Sequence, residues 1–266
     1  MKTKNTYGQN FIFDKLLLQS LIDYAKVNKE DNVLEIGVGM GALTKQLAKK
    51  CKHITSFEID NNLIPYLNII SKEFTNLKII NMDFLKFDLK NLDYKNFKVI
   101  ANIPYYITSE ILYKLILNEL NIKQISIMVQ LEVAKKIAAK PKIGDNYGYL
   151  SLLCQHKYNV EIATIVKAEC FSPAPNVDSA FINLTLKDDL FDYKFDNYFY
   201  KFIKSAFLHR RKTLINGVKS STNIDVGLLK TTLDNLGIKT NIRAEELDYE
   251  NMLKLTKHLY NNHLNN

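Results

Sequence analysis

Three carboxylates and one carboxamide mark the ends of short apolar runs. Glu35 lies in "LEIGVGMGALT" (34–44), Glu58 in "TSFEID" (55–60), Asp83 in "INMDFL" (80–85) and Asn102 in "VIANIPYYITSEIL" (99–112). A strand running into Gly37, Gly39 and Gly41 lets the backbone turn tightly and lets a ligand approach it closely. The spacing is Gly-x-Gly-x-Gly and not the dinucleotide pattern Gly-x-Gly-x-x-Gly. A carboxylate at the end of the second strand, Glu58, can accept from both hydroxyls of a ribose, and Asp83 can accept from the exocyclic amine of an adenine. Glu35 precedes the glycine turn and is taken with these two as a third converging acid. Near the loop the only basic residue is Lys45, so nothing is prepared to neutralise phosphate. A ligand with a ribose, an adenine and a cationic part, S-adenosylmethionine, fits better than NAD. The alternative makes Glu58 and Asp83 ordinary solvated strand ends.

The fourth run ends on Asn102, followed by Ile103, Pro104, Tyr105 and Tyr106. The Asn102 side-chain carbonyl accepts one N–H. Pro104 holds Ile103 extended and donates nothing, which leaves a backbone carbonyl of the turn to face the same group. Two acceptors thus converge on one amine, and Tyr105 offers a flat face for a base. An adenine amine is a poor nucleophile because its lone pair is delocalised into the ring. Holding both N–H bonds out of the ring plane turns the lone pair toward a methyl donor, so positioning supplies most of the catalysis. The aromatic face favours a cationic transition state. A second aromatic, Phe171 in "CFSPAPNVDSAF" (170–181), stands beside a stiff proline loop and can close the other side of the base. Its alternative is a core residue.

These groups need strands to carry them. "NVLEIG" (32–37), "HITSFEI" (53–59), "LKIINM" (77–82), "FKVIAN" (97–102) and "QISIMVQ" (124–130) each have the length and branching of buried strands. Amphipathic stretches such as "GALTKQLAKKC" and "SEILYKLILNEL" lie between them. That alternation predicts an α/β fold, a Rossmann-like parallel sheet with helices on both faces. "KYNVEIATIVKA" and "SAFINLTLK" predict a hairpin finishing the sheet. After residue 187 the pattern is helical. The expected division is a catalytic domain over 1–187 and a small helical domain over 188–266.

Among 266 residues 47% are hydrophobic, enough for a substantial core. No apolar run is long enough to span a bilayer, and the basic N-terminus lacks an apolar signal core, so a soluble cytoplasmic protein is expected. Cys51, Cys154 and Cys170 are far apart and match no metal-ligand spacing, which predicts reduced thiols and no metal. The net charge is +8 with a pI near 9.1. Residues 201–219 hold six Lys or Arg and no acid, and two of the chain's three arginines are the adjacent Arg210 and Arg211. With Lys212 they form a candidate contact to RNA phosphates. The alternative is a solvated helix whose apolar face, Phe202, Ile203, Ala206 and Phe207, packs on the catalytic domain.

Taken in order, these segments resemble the ribosomal RNA adenine N6-dimethyltransferase family over nearly the whole chain. "YGQNFIFD" resembles its N-terminal motif, which implies that Gln9, Asn10 and the backbone near Ile12 touch the cofactor. "LEIGVGMGALT", "FEID", "NMDFL" and "NIPYYITS" correspond to the glycine motif, ribose acid, adenine acid and catalytic turn. "FSPAPNVDSAFINL", "AFLHRRKTLING" and "IRAEELDYENMLKL" continue the pattern. The Arg-Arg-Lys-Thr-Leu segment is typical of the small-subunit branch. The resemblance implies transfer of four methyl groups to two adjacent adenosines near the 3′ end of 16S rRNA, in the assembling small subunit, by a monomer. Tyr106 departs from the family where asparagine is common, Lys142 where glycine is common, and Tyr149 where a basic residue often follows "YG". Three rivals remain. One is a large-subunit (23S) rRNA methylase of the macrolide-resistance type. Another is a DNA adenine methylase, although its target-recognition domain is usually larger than the tail here. The last is a non-catalytic nucleic-acid binder.

Overall fold

In the computed structural model, residues 8–120, 122–141, 146–209, 211–219 and 224–264 are described; Lys142 and Arg210 lie outside them. The elements in chain order are β1 (Phe11–Ile12), α1 (Lys15–Tyr24), β2 (Asn32–Ile36), α2 (Ala42–Lys50), β3 (His53–Glu58), α3 (Ile64–Glu73), β4 (Leu77–Asn81), β5 (Lys98–Asn102), α4 (Thr108–Ile116), β6 (Gln124–Gln130), α5 (Leu131–Ala138), α6 (Tyr149–Lys157), β7 (Tyr158–Val166), β8 (Phe171–Ser172), β9 (Ser179–Leu186), α7 (Tyr193–Leu208), α8 (Leu214–Lys219), α9 (Val226–Asn235) and α10 (Tyr249–Leu264). Seven strands form one sheet in the order β4-β3-β2-β5-β6-β9-β7. β2 to β6 are parallel, and β9 runs antiparallel to β6. This is the predicted α/β sheet, with its last two strands adjacent.

The chain leaves β2 toward β3 on one side and reaches β5 on the other. Order therefore reverses at β2, and ligands of open α/β sheets bind at the carboxyl ends of strands flanking such a reversal. Register brings the site residues level there. Ile36 pairs with Phe57 and Ala101, so Gly37, Glu58 and Asn102 come next on three neighbouring strands. Glu58 pairs with Asn81, two residues before Asp83.

The strands are buried on both faces, which explains their continuous apolar runs: Val33, Leu34, Val99, Ile100 and Ala101 are all 0% exposed. The core beneath the site gathers Ile12, Leu18, Leu21, Ile22, Val33, Leu47, Ile54, Leu67, Ile100, Met128, Phe171 and Phe181. α1 starts where Asp14 accepts from the N–H groups of Leu16 and Leu17, satisfying donors that the first turn leaves open.

Contacts divide the chain into two units, 1–134 with 159–186 and 135–158 with 187–266. The expected division places 135–158 in the first. That segment belongs to the second because α6 carries His156, which stacks on Phe199 at 4.0 Å between ring centres and on Phe191 at 5.3 Å. His156 Nε2 is 2.9 Å from Asp196 Oδ1 on α7, and Nδ1 is 3.3 Å from the Tyr249 hydroxyl on α10. Burial holds this imidazole below its ordinary pKa, so it is neutral, donating to Asp196 and accepting from Tyr249. Lys157 Nζ, 3.5 Å from Asp196 Oδ2, adds an ion pair. No sequence period announces a core made of rings and one ion pair. Tyr149 opens α6 and is half-buried. Among the described residues no helix is long and apolar enough to cross a membrane.

Candidate active site

A cavity of about 300 Å³ opens at the strand ends of the first unit. Its lining includes Gln9, Asn10, Phe11 and Ile12 from the N-terminal segment, Gly37 and Gly39 from the first loop, Glu58, Asp83, and the turn Asn102, Ile103 and Pro104. Tyr106 and Ile107 line it as well. Most of the residues expected at a cofactor site are thus brought together.

Glu58 is 2% exposed and its two oxygens are used separately. Oε2 accepts from Gly39 N at 2.7 Å and Oε1 from Asp60 N at 2.9 Å. Burial raises its pKa, and the N–H groups of Asp60 and Gly39 oppose that rise. The carboxylate therefore ties the glycine loop to the end of β3 and retains lone pairs for a ligand. Asp83 Oδ1 accepts from Leu85 N at 2.9 Å, capping the short 3-10 turn Phe84–Lys86, and this bond fixes the side chain at the cavity wall.

Glu35 departs from expectation. It does not line the cavity. It is 0% exposed and accepts from Thr44 Oγ1 at 3.0 Å and Ser56 Oγ at 2.7 Å. Burial pushes its carboxyl up to about 8. A side chain inside β2 alternates into one face of the sheet and not past its end, so Glu35 braces α2 and β3 beneath the loop. Gly41 also lies off the cavity. It caps α2 at φ +71°, which favours glycine, and a Cβ there would stand 2.5 Å from Ile70 Cδ1 on α3, so that methyl would have to shift. At Gly39, φ +55°, a Cβ would stand 2.8 Å from the Phe11 ring, which covers the loop.

Asn102 Nδ2 donates to the Asn10 carbonyl at 3.1 Å. Anchoring the amide nitrogen fixes the side chain and leaves Oδ1 as an acceptor at the cavity. Pro104, at φ −58° and ψ 134°, leads into the 3-10 turn Tyr105–Ile107, and α4 follows directly. Tyr105 is half-buried and does not line the cavity. Its hydroxyl shares a hydrogen bond with Ser179 Oγ at 2.5 Å, and burial raises its pKa, keeping the phenol neutral. Tyr106, 65% exposed, is the tyrosine that faces the opening.

Phe171 is 4% exposed and packed in the core. It pairs with Ile12 where β1 and β8 form a two-strand antiparallel ribbon. Its ring is not brought to the cavity. Two residues per strand are too few for a period to show, so this ribbon is not legible in the sequence. Ser179, Thr44 and Ser56 also escape sequence reasoning; only the "VDS" of the 170–181 segment hints at the first.

In the second unit Lys201, Lys204, Arg211, Lys212 and Lys219 are exposed, while Phe202, Ile203, Ala206 and Phe207 are buried. α7 packs against α6, α8 and α10. The apolar face thus has partners within its own unit, and the basic face is left to solvent.

Comparison with known proteins bears on the family. The family described as ribosomal RNA adenine dimethylase matches residues 1–261. A Streptococcus thermophilus protein named ribosomal RNA small subunit methyltransferase A is 40% identical over 264 residues, covering 95% of this chain and 90% of the relative. A Clostridium botulinum protein of the same name is 38% identical over 262 residues, covering 97% and 94%. Among solved structures, a dimethyladenosine transferase from Plasmodium falciparum has a TM-score of 0.76 at 26% identity, covering 92% of this chain and 95% of that one. The 23S rRNA methyltransferase ErmE has a TM-score of 0.72 at 25% identity, covering 94% and 100%. With Glu58, Asp83, Gly37, Gly39 and the Asn102–Pro104 stretch gathered at one cavity, and the family model matching residues 1–261, the chain belongs to the ribosomal RNA adenine dimethylase family.

Proposed function

We propose that this protein transfers methyl groups from S-adenosylmethionine to N6 of two adjacent adenosines near the 3′ end of 16S rRNA in the assembling small subunit. The observation that carries this reading is the Asn102 carboxamide, which lines the cavity with its nitrogen held by the Asn10 carbonyl, so that its oxygen is left as an acceptor. The relatives named for the small subunit, at 38–40% identity, support that substrate over the large subunit. We read it as a cytoplasmic protein that acts as a monomer.

The cavity lining fits the cofactor. Among the described residues it carries two carboxylates and no Lys, Arg or His, which suits a ligand with a cationic centre and no phosphate. Glu58 would hold the ribose and Asp83 the adenine, with Gln9, Asn10 and Ile12 along the edge and Gly37 and Gly39 beneath. When bound, S-adenosylmethionine supplies an electrophilic methyl group on a sulfonium that leaves readily.

The chain's own groups do the rest. Asn102 Oδ1 and a backbone carbonyl of the Ile103–Pro104 turn accept the two N–H bonds of the target amine. This draws the nitrogen out of conjugation and aims its lone pair. No strong base is required, because the methylated amine is acidic and releases its proton to water. Tyr105 is outside the cavity lining and half-buried, and the part of its ring left exposed would give the base a face to lie on. Phe171 would serve as a second face only after leaving its place in the core. Arg210, Arg211 and Lys212 would hold RNA phosphates.

Asn102→Ala tests the mechanism. It should fold and bind cofactor as the parent does, while single-turnover methyl transfer at saturating cofactor and RNA falls on the order of a hundredfold or more. A parental rate would remove Asn102 from the chemistry. Mapping dimethylated adenines in rRNA from cells with and without the gene decides between the two subunits.

A further inference from the structure

The bond between Tyr105 and Ser179 has no part in the mechanism above. Ser179 is the first residue of β9, is 0% exposed, and pairs in register with Gln130 at the end of β6. Asp178 before it is held three times. Its carbonyl accepts from Leu131 N at 3.0 Å, and its carboxylate accepts from Lys167 Nζ at 2.9 Å and Ala168 N at 3.1 Å. Those bonds close the segment 167–178, which carries Phe171. Ser179 Oγ is therefore a fixed point where that segment re-enters the sheet.

The phenol it meets is the far end of the Tyr105 ring. The phenol oxygen lies on the axis of the second side-chain torsion, so tethering it as well as the Cα fixes the first torsion and with it the line along which the ring extends. Three residues before Tyr105, the Asn102 amide is held by the Asn10 carbonyl at 3.1 Å. The turn is thus tied at both ends, its amine acceptor to Asn10 and its aromatic ring to Ser179 and the proline segment. Packing alone would not demand it, since a phenylalanine at 105 would fill nearly the same volume.

We propose that Ser179 is a positioning residue for methyl transfer. Its hydroxyl holds the Tyr105 ring in one rotamer, and so sets where the adenine lies when it presents its amine to Asn102. This rests on the function proposed above. A residue acting only on stability would change the melting temperature and leave the rate of folded enzyme untouched.

The test is a double-mutant cycle on the full chain. Single-turnover methyl transfer to small-subunit RNA is measured at saturating S-adenosylmethionine and RNA for the parent, Ser179→Ala, Tyr105→Phe and the double variant. Cofactor affinity is measured alongside by calorimetry. Each single variant should lose roughly fivefold to thirtyfold in rate, with cofactor affinity changed by less than about twofold. The double variant should be no slower than the slower single, because both remove the same bond. A parental rate in Ser179→Ala, or losses that multiply in the double variant, overturns the proposal. Should Ser179→Ala fail to fold, Tyr105→Phe decides from the other side of the bond, and a parental rate there overturns it equally. A parent that methylates no rRNA adenine refutes the function itself. A methylating parent matched by Ser179→Ala refutes only the role of Ser179.

Discussion

Glu35 offers the sharpest physical test, because its role is bracing and its bound proton reports that role. Burial raises the carboxyl from 4.5 to about 8 in the folded protein. A raised acid pKa means that the folded state binds the proton more tightly than the unfolded chain. Its contribution to stability is fully present below pH 4.5 and is lost as pH rises through about 8. At roughly 1.4 kcal/mol per pH unit, that interval amounts to about 5 kcal/mol, of which about 2 kcal/mol falls between pH 6 and pH 8. Glu35→Gln stays neutral throughout, and the Thr44 and Ser56 hydroxyls can accept as well as donate, so the amide keeps its partners. Thermal melts of parent and variant from pH 6 to pH 8 should therefore diverge. The variant should gain on the parent by roughly 4–8 °C, taking about 2–4 °C per kcal/mol for a domain of this size. Cofactor affinity at pH 7 should stay within about twofold, since Glu35 does not line the cavity. Melting curves that run parallel across this range would refute the buried-proton reasoning. A large loss of cofactor affinity in a folded variant would return Glu35 to the binding site.

Three further outcomes follow from the geometry. Asp83→Asn keeps one oxygen for Leu85 N but replaces the other. It should weaken S-adenosylmethionine binding by about 1–3 kcal/mol in calorimetric titration, with little change in melting temperature. The two loop glycines should separate. Gly41→Ala strains φ +71° and strikes Ile70, costing about 1–3 kcal/mol of stability in denaturant melts, whereas Gly39→Ala displaces Phe11 and should mainly weaken cofactor binding. Replacing Arg211 and Lys212 with Gln should leave cofactor affinity intact and flatten the log–log salt dependence of RNA binding by roughly 0.7–0.9 per lost phosphate contact. An unchanged slope would mean that these exposed side chains only solvate the unit.

The sequence by itself determined the sheet and most of the cavity. Strand periodicity and length located β2 to β6, and a residue following an apolar run must emerge at a strand end. Glu58, Asp83 and Asn102 are therefore legible as site residues from the chain alone. What it left open was side-chain direction and long-range pairing. Glu35 reads like Glu58 until the pleat of β2 sends it into the sheet face. Gly41 reads like Gly39 until Ile70 on α3 occupies the space beside it. Tyr105 reads as an open ring until Ser179, 74 residues away, takes its hydroxyl, and Phe171 reads as one until β1 and β8 pair and close it in the core. Local propensity acts between neighbours in the chain. Glu35 follows the pleat of its own strand, whereas the other three placements depend on contacts between segments far apart in sequence, which exist only once the sheet has brought those segments together.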